Sequence, residues 1–488
     1  MRRILPLALA LCACKARPDA GASAADLFAS RCGECHTRAE LKDRTASDIR
    51  HAIDEIPPMA PLKGTLGDAE LAKIEGLLGG KPEARQAEPA YHYQRADMCR
   101  PCHQRQVAQW KDSLHAKAHG EAVYDRYFIQ ASRETKQKIE TFCAGCHTPI
   151  GVHRGEIPFQ TAPKRPGDTT VSEVAAEGVK CDFCHTITGY DQIQNGGYRL
   201  TPVRVMRGPL RGASSPFHGT EYLPLFRSAE LCGTCHNVSH PGCGIVLEST
   251  YTEWKESPYA REGVVCQDCH MTAGLTRRVV RPGRAAHGGP PRRHISDHFF
   301  VGPNVLFASN ETEEGRELRR RSLELLRRAA RLTIETPERS AERLVVPIRV
   351  ANVGAGHGLP TGVTEIREMW LEVKVTASGK RLLHSGGLDA RGDLGPEAIV
   401  YRTEVFDAKG KMTTRFWATA RKGRDHRVPA RGSVVERVEV PLQGVTGPVV
   451  VQASLRYRSV APWGLDEVGA RGVVDVPVIT MATAQRTM

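Results

Sequence analysis

Six copies of the pattern Cys-x-x-Cys-His constrain this 488-residue chain more than any other feature. They are numbered here as sites 1 to 6 in chain order: Cys32-Cys35-His36, Cys99-Cys102-His103, Cys143-Cys146-His147, Cys181-Cys184-His185, Cys232-Cys235-His236 and Cys266-Cys269-His270. With 15 cysteines and 19 histidines in the chain, random placement would give roughly 0.02 copies. The repetition therefore indicates one chemistry carried out at all six sites.

The chemistry that requires this spacing is the covalent attachment of c-type haem. The two thiols add to the two vinyl groups of the porphyrin, and the adjacent histidine reaches the iron. Zinc ribbons join their knuckles at short, regular separations and need no histidine directly after the second cysteine. Disulfides would leave the six histidines unexplained. The sequence therefore predicts six covalently bound haem c groups.

The chain begins with the features of an export signal. Two arginines at positions 2 and 3 precede an apolar run over residues 4–11 that is too short to span a membrane. The following LCAC resembles a bacterial lipobox, which implies that Cys14 becomes a lipid-modified N-terminus; an ordinary signal peptide is the alternative. Residues 1–23 are thus predicted to be a signal, lipobox and tether. The expected location is the periplasm or outer membrane of a bacterium.

The formal net charge of +13 would ordinarily favour an acidic partner such as nucleic acid or an anionic membrane. Six haems, however, would bring about twelve propionate carboxylates, and removal of the signal would remove two arginines. The net charge of the mature, haem-loaded protein would then be about −1. Haem therefore explains most of the basic excess, and no nucleic-acid partner is expected.

Residues 24–80 have the layout of a small haem domain. The helix-like AADLFASRCGECH contains site 1, IPPMAPL holds a methionine among prolines, and GDAELAKIEGLLGG closes the segment with four apolar residues on one helical face. This layout resembles a small all-α class I monohaem cytochrome c. The resemblance implies that Met59 is the sixth iron ligand opposite His36, with loop packing of Met59 as the alternative. A Pro- and charge-rich linker follows at 81–94.

Segment 95–305 contains sites 2 to 6 but few long apolar runs and little strand-like alternation. Haem faces are therefore expected to supply its core, with short helices and irregular chain around them. Four phrases also resemble multihaem cytochromes c of the cytochrome c-554 and hydroxylamine oxidoreductase group: QWKDSLHAKAH, EGVKCDFCHTI, SPFHGTEYLPLFRSAELCGTCHNV and YTEWKESPYAREGVVCQDCHM. The resemblance implies a pentahaem cytochrome domain.

Histidines outside the motifs are candidates for the second axial position. His115 is the strongest, because its phrase WKDSLHA supplies a distal ligand in the family it resembles; His119, one helical turn later, is a weaker alternative. His218 and His298 lie in loop phrases that also resemble the family pattern. His357 lies in NVGAGHGLPTG, whose glycines would let the backbone approach a flat cofactor, although a simple β-turn is an equal alternative. The sequence does not rank His153, His240, His287 and His294.

The last third of the chain changes character. Residues 306–332 contain the Arg-rich helical pattern EEGRELRRRSLELLRRAARL, which is either a solvated face or a docking surface for propionates or an acidic partner. Alternating runs such as RLVVPIRVANVG and PVVVQASLRYRS then predict an antiparallel β-sandwich at 333–488. The expected architecture is multidomain: a small all-α cytochrome c domain, a haem-packed, mostly α and irregular multihaem domain, and a C-terminal antiparallel β-sandwich.

These features predict an exported hexahaem c-type cytochrome that carries electrons between redox proteins outside the cytoplasm, either other cytochromes or membrane electron-transfer complexes. One alternative is a multihaem oxidoreductase of a small nitrogen or sulfur compound, which needs an iron with an open position. The phrase WKESPYA, in which Tyr259 stands where His115 stands in WKDSLHA, indicates one place for such an opening, with packing of Tyr259 against a haem edge as the alternative. A third alternative makes the β-sandwich an adhesion or assembly module with ancillary haems.

Overall fold

The computed structural model describes residues 23–31, 49–50, 53, 66–78, 93–304 and 309–488. The chain divides into two compact units, Met1–His92 and Tyr93–Met488. Within the described residues, no helix combines the length and the apolar character needed to cross a membrane. Several predicted residues lie outside the described residues. They are the lipidation candidate Cys14, the attachment cysteines Cys32 and Cys35 of site 1, and its proposed iron ligands His36 and Met59.

In the first unit, helices α1 (Ala24–Arg31) and α2 (Asp68–Leu78) contact each other. Leu71, Ile74 and Leu78 recur along α2 at three- and four-residue intervals, so they share one face, and all three are buried. They form a hydrophobic cluster with Leu27, Phe28, Ile49, Ile53 and Leu66. The apolar face predicted at the end of this segment therefore belongs to a core.

From Tyr93 to Asn304 the second unit consists mainly of short helices. Helices α3 to α13 are Gln104–Asp112, Leu114–Lys117, Ala122–Glu134, Glu140–His147, Pro149–His153, Glu173–Ala176, Cys181–His185, Glu230–Gly233, Thr250–Glu256, Pro258–Arg261 and Cys266–His270. Single 3-10 turns occur at Ala96–Met98 and Pro224–Arg227. Pro149 and Pro258 begin two of the helices, at the position where the missing N–H of proline is tolerated.

Short strands in the same segment pair two by two, which the sequence did not indicate because none is long enough to show alternation. The antiparallel pairs are β1 (Ile187–Tyr190) with β2 (Tyr198–Leu200), β5 (Val238–Ser239) with β6 (Val246–Glu248), and β7 (Gly283–Arg284) with β8 (Pro291–Arg292). Strands β3 (Val205–Gly208) and β4 (Gly219–Tyr222) pair in parallel. The first, second and third of these pairs in chain order lie between motifs, and the pair of β7 with β8 follows site 6.

Beyond residue 309 the chain forms one long helix and then strands. Helix α14 (Glu313–Ala329) begins at Thr312, whose hydroxyl accepts a hydrogen bond from Gly315 N at 2.9 Å. The strands are β9 (Ala330–Ile334), β10 (Glu338–Arg339), β11 (Arg343–Asn352), β12 (Glu368–Ala377), β13 (Lys380–Ser385), β14 (Ile399–Tyr401), β15 (Thr403–Phe406), β16 (Arg421–Asp425), β17 (Ser433–Pro441), β18 (Val449–Arg458) and β19 (Ile479–Thr487). A 3-10 turn at Phe416–Ala418 and helix α15 (Pro462–Glu467) interrupt them.

Two larger sheets are built from these strands, and both are antiparallel. In one, β11 pairs with β9, β10 and β17; the other has the order β13-β12-β18-β19, with β14 also paired to β12. Alternate residues of β18 are buried, since successive side chains of a strand point to opposite faces. Buried side chains of both sheets, such as Val346 and Ile348 of β11 and Leu371 and Val373 of β12, belong to one hydrophobic core.

A second apolar cluster joins the C-terminal part to the motif-bearing helices. The hydroxyl of Tyr127 on α5 donates a hydrogen bond to Thr414 Oγ1 at 2.7 Å. Trp417 Nε1 donates to Glu134 Oε2, also at 2.7 Å. Residues 93–488 therefore fold as one unit, in which loops between the C-terminal strands lie next to the Cys-x-x-Cys-His sites.

Candidate haem-attachment sites

Each described motif is folded into a single helical turn. Sites 4 and 6 are the helices Cys181–His185 and Cys266–His270, and site 3 ends helix Glu140–His147. At sites 2 and 5, the N–H of the motif histidine donates to the carbonyl of the first cysteine at 2.9 Å. Residues three and four positions apart share one side of such a turn. The turn therefore presents both thiols and the imidazole together.

All five described motif histidines have a hydrogen-bond acceptor at Nδ1. At four sites it is a backbone carbonyl: Ala285 for His103 (2.8 Å), Ala118 for His147 (3.2 Å), Arg207 for His185 (2.5 Å) and Val301 for His270 (2.6 Å). At site 5 it is a carboxylate, since Glu248 Oε1 lies 3.4 Å from His236 Nδ1. An acceptor at Nδ1 keeps the proton there and leaves the Nε2 lone pair for a metal. The five rings thus fit the role of iron ligands.

Three of the histidines predicted as second ligands lie opposite a motif histidine. The ring centroids are 6.4 Å apart for His103 and His218, 6.3 Å for His236 and His115, and 6.3 Å for His270 and His357. Two imidazoles that share one metal through bonds of about 2.0 Å, with each ring centre about 1.15 Å beyond the nitrogen, would have centroids about 6.3 Å apart. The spacing of these three pairs is that of two rings on one iron.

His298, the remaining candidate of this kind, lies near His185 of site 4. Burial, and after it the charge of His185, lowers the pKa of His298 to about 4. Nδ1 of His298 and Nδ1 of His115 are both buried without a hydrogen-bond partner among the described residues. Buried polar atoms in proteins are nearly always satisfied, so these two rings fit positions fixed by a group outside the polypeptide.

At sites 3 and 4 the ring that stacks on the motif histidine is not an imidazole; at site 4 it is Phe226, with its centroid 5.3 Å from that of His185 and an angle of 11°. The aromatic ring that stacks on His147 is that of Tyr124, at a centroid distance of 4.0 Å and an angle of 6°. Among the described residues, no second histidine ring lies opposite His147 at the spacing found for the three pairs. His119, the weaker candidate, has its Nδ1 2.9 Å from the hydroxyl of Thr148 and therefore lies beside the motif.

The histidines that the sequence could not rank have other neighbours. His240 Nε2 lies 3.0 Å from the Trp417 carbonyl, His294 Nδ1 accepts from Arg281 N at 3.0 Å, His153 contacts the edge of Tyr93, and His287 N donates to the Cys102 carbonyl. None of these contacts is to the ring of a motif histidine.

Burial favours neutral imidazole at most of these positions. It lowers the pKa of His115 to about 3 and the pKa values of His147 and His270 to about 4. At His236, whose side chain is half-exposed, partial burial also lowers the pKa, but the hydrogen bond and the charge of Glu248 outweigh it and raise the pKa to about 9. Neutral imidazole is the form that binds a metal. His236 therefore differs from these histidines, because a neighbouring carboxylate raises its pKa.

Thiols of different motifs lie next to each other. The interacting pairs are Cys99 with Cys181, Cys146 with Cys235, and Cys232 with Cys266. Burial, and then the nearby charge of Cys235, raises the pKa of Cys184 to about 12. In a haem-loaded protein these atoms would be thioether sulfurs. The attachment points thus place site 2 beside site 4, site 4 beside site 5, and site 5 beside both site 3 and site 6.

Neither of the competing interpretations of the motifs has a counterpart in the described part of the chain. The described cysteines are free thiols. In the same residues no group of three or more Cys, His, Asp and Glu side chains converges as the ligands of a zinc site would.

The phrases WKDSLHA and WKESPYA have the same local structure. Trp110 Nε1 donates to the Val179 carbonyl and Trp254 Nε1 to the Val264 carbonyl, both at 2.8 Å. Each of these valines donates its N–H back, to the carbonyl of His115 at 2.9 Å and to that of Tyr259 at 3.0 Å. The two similar sequence phrases therefore form a structural repeat, in which His115 and Tyr259 occupy equivalent positions.

Tyr259 packs against the loop that carries His357. Gly356 lies on its ring, and a Cβ added to that glycine would be 3.4 Å from Tyr259 Cγ. The Arg431 guanidinium lies 4.3 Å from the ring centroid. The residue after Gly356 is His357, which lies opposite His270. The structure therefore places His357 at site 6, and Tyr259 supports the loop that carries it.

Glu253 holds the Gly-rich loop from the side of the motif-bearing helices. Its Oε2 accepts hydrogen bonds from Gly358 N and Thr361 Oγ1, both at 2.9 Å. Asn352 Nδ2 fixes the loop from within the C-terminal part by donating to the His357 carbonyl at 2.8 Å. A Cβ at position 358 would lie 3.1 Å from Glu253 Oε2, so glycine permits this close approach.

A buried carboxylate that no sequence pattern singled out lies next to His298. Asp297 forms ion pairs with Arg105, with Arg281 at 3.1 Å and with Arg321 at 2.8 Å. Arg321 belongs to the Arg-rich helix α14 and is buried, whereas Arg320 pairs with Glu317 and Glu324 at the surface. One arginine of that helix is therefore used inside the protein, where it anchors the segment that carries His298.

Comparison with known proteins agrees with this geometry. The family described as cytochrome c554 and c-prime matches residues 98–186, which contain sites 2, 3 and 4. The penta-heme cytochrome c552 from Thermochromatium tepidum shares the fold, with a TM-score of 0.55 and 20% identity over 82% of this chain and 100% of that one. Beta-glucosidase 3B from Thermotoga neapolitana aligns at 16% identity over 33% of this chain and 16% of its own, but its TM-score of 0.11 is too low to indicate a shared fold.

No curated protein matches the chain. The family match and the shared fold together support a multihaem cytochrome c with covalently bound haem.

Proposed function

We propose that the protein is an exported hexahaem c-type cytochrome that carries electrons between redox proteins outside the cytoplasm. The observation that carries this proposal is the set of histidine pairs with centroids 6.3 to 6.4 Å apart, each including a motif histidine whose Nδ1 has an acceptor. Haem, when bound, supplies the one-electron chemistry of its iron. The polypeptide attaches it, supplies the axial ligands and sets the surrounding charge.

Ring spacing supports the proposed ligand sets at sites 2, 5 and 6, the nearness of His298 to His185 supports the set at site 4, and the sequence supports the set at site 1. The sets are His103 with His218 at site 2, His185 with His298 at site 4, His236 with His115 at site 5, His270 with His357 at site 6, and the sequence-based pair His36 with Met59 at site 1. Each pair leaves no room for a substrate at its iron. Sites of this kind suit the storage and passage of electrons better than catalysis.

The contacts between thiols support an electron path through the second unit. Sites 2, 4, 5 and 6 form a continuous series, and site 3 branches from site 5. Electron transfer slows steeply as the separation of redox centres grows, so neighbouring attachment points favour rapid passage. Residues of the chain contribute by fixing these neighbours in one compact unit.

We further propose that the protein is a lipoprotein held to a membrane by Cys14, in the periplasm or at the outer membrane of a bacterium. The supporting feature is the arginine pair, apolar run and LCAC junction at the start of the chain. Its partners would be other cytochromes or membrane electron-transfer complexes. The placement of His357 at site 6 gives the C-terminal part a role in the redox centre and weakens the alternative of an independent adhesion module.

Site 3 favours a second candidate function, a multihaem oxidoreductase acting on a small nitrogen or sulfur compound. The ring stacked on His147 is that of Tyr124, at 4.0 Å, and an iron held by one protein ligand would have a free position. Site 5 adjoins site 3 and would deliver electrons there. The same chain would then be both a carrier and a catalyst.

The number of haems tests the proposed function through the covalent bonds themselves. We expect the mass of the mature protein to include six haem additions, because each motif contains both thiols and the histidine. The double substitution Cys143→Ala, Cys146→Ala should remove one addition. The matched control Cys243→Ala removes a cysteine outside the motifs and should leave the number unchanged. Fewer than six additions on the fully matured native protein would contradict the hexahaem assignment.

A further inference from the structure

Site 5 differs from the other described sites in what lies behind its motif histidine. Sites 2, 3, 4 and 6 each offer a neutral backbone carbonyl to Nδ1. At site 5 the same nitrogen faces the carboxylate of Glu248 at 3.4 Å. Sites 2, 5 and 6 otherwise share the same geometry, with a second imidazole 6.3 to 6.4 Å away. The partner of Nδ1 is therefore the main difference between these sites.

The surroundings of Glu248 hold its carboxylate in this position. It ends strand β6, its side chain is buried, and Thr250 Oγ1 donates to the same Oε1 at 3.2 Å. Among the described residues, Glu248 forms an ion pair with His236 and with no lysine or arginine. The negative charge of Glu248 is therefore directed at the imidazole of site 5.

A carboxylate behind an axial histidine acts on the iron in two ways. By accepting the Nδ1 proton strongly, it makes the imidazole a better electron donor to the metal. Its charge also favours the more positive ferric state. A neutral carbonyl does both to a smaller extent. Second-shell hydrogen bonding is one of the means by which proteins set haem potentials.

We propose that Glu248 is a positioning and tuning residue that gives site 5 a lower reduction potential than sites 2, 4 and 6. The proposal rests on the proposed electron-carrier function. Because site 5 adjoins sites 3, 4 and 6, the low-potential centre lies at the branch of the path. Electrons at rest therefore occupy sites 2, 4 and 6 in preference to site 5.

The test is a potentiometric titration of the haem-loaded protein carrying Glu248→Gln, which keeps the shape and an acceptor oxygen but removes the charge. The component of site 5 is identified beforehand with His115→Ala, which removes the proposed second ligand of that site. We expect the ferric-to-ferrous ratio of site 5 at a fixed potential to fall about tenfold, an upward shift of about 59 mV for a one-electron centre. A smaller upward shift at site 3 is expected, since Glu248 also acts on His147.

Glu230→Gln is the matched control. Glu230 lies two residues before the first cysteine of site 5, but its carboxylate binds the hydroxyl of Tyr251 at 3.0 Å and lies 3.8 Å from Lys255 Nζ. Removing this charge should shift site 5 much less than Glu248→Gln does. Glu248→Asp, which keeps the charge on a shorter side chain, should keep the potential of site 5 closer to that of the native protein than Glu248→Gln does.

Three outcomes would overturn the proposal. Glu248→Gln could lower the thermal stability without moving the potential of site 5, which would make Glu248 a purely structural residue. Equal shifts in Glu248→Gln and Glu230→Gln would show a general charge effect. A native site 5 with a potential above those of sites 2, 4 and 6 would contradict the inferred order. A protein without haem signals would instead contradict the proposed function, so the two failures are distinguishable.

Discussion

Replacing His357 with alanine is expected to convert site 6 from a low-spin to a high-spin ferric centre and to open it to carbon monoxide. His357 lies 6.3 Å from His270, ring centre to ring centre, and its loop is fixed by Glu253 and Asn352. Without the imidazole, the iron of site 6 would keep one protein ligand and a free position. Electron paramagnetic resonance should show one additional high-spin equivalent, and the reduced protein should bind one more carbon monoxide.

The control for this prediction is His384→Ala. His384 belongs to the same C-terminal part, but its Nε2 lies 3.0 Å from Glu372 Oε1, and its ring contacts none of the five described motif histidines. It should leave the spin state of every site unchanged. If His357→Ala also leaves all low-spin signals intact, His357 is a turn residue and the C-terminal part contributes no axial ligand.

Replacing Met59 with alanine is expected to abolish the highest-potential component of a redox titration and to open site 1 to carbon monoxide. A thioether is a softer and weaker donor than imidazole and favours the ferrous state, so His/Met ligation raises the potential above that of bis-histidine sites in similar surroundings. Site 1 would then be the high-potential end of the path. The linker at 81–94 would let its domain exchange electrons with an outside partner.

Two further variants sharpen the test of Met59. Met59→His keeps a sixth ligand but exchanges the thioether for imidazole, so it should lower the top component without opening the site to carbon monoxide. Met98→Ala changes an exposed methionine beside site 2 and should leave the top component in place. Survival of that component in both Met59 variants would show that Met59 is a loop residue and that the N-terminal domain has another sixth ligand.

The sequence could predict those features of the sites that are determined by residues close together in the chain. The motifs predicted thiols and imidazole on one turn, and the structure has that turn at sites 2 to 6. The acceptors behind the imidazoles could not be predicted, because each lies outside its motif and the chain must fold to bring it there. The carbonyl at His103 belongs to Ala285, which lies 182 residues away. A backbone carbonyl carries no residue-type signal, so no sequence pattern reveals it.

Charged residues around the sites show the same limit. Glu248 and Asp297 lie in no motif, and their importance follows only from what folding brings to them: an imidazole in one case and three arginines in the other. The Arg-rich pattern identified helix α14, but only the structure separates buried Arg321 from Arg320 at the surface. At Tyr259 the sequence repeat did correspond to a repeated local structure. The loop that packs on Tyr259, which carries His357, comes from the C-terminal part and could not be predicted from the repeat.

Elements of the fold were predictable where they are long. The run RLVVPIRVANVG lies in strand Arg343–Asn352 and PVVVQASLRYRS in strand Val449–Arg458, because ten residues are enough to show alternation. The paired strands between residues 187 and 292 have two to four residues each, which is too few for any period to be visible.

The pairing of histidines across the irons is the central claim, and electron paramagnetic resonance of the fully oxidised native protein tests it most directly. We expect five low-spin ferric centres, one from His/Met ligation at site 1 and four from bis-histidine ligation at sites 2, 4, 5 and 6, together with one high-spin centre at site 3. Six low-spin centres would remove the basis of the catalytic alternative and leave the carrier intact. Two or more high-spin centres in the native protein would contradict the histidine pairs and the electron path built on them.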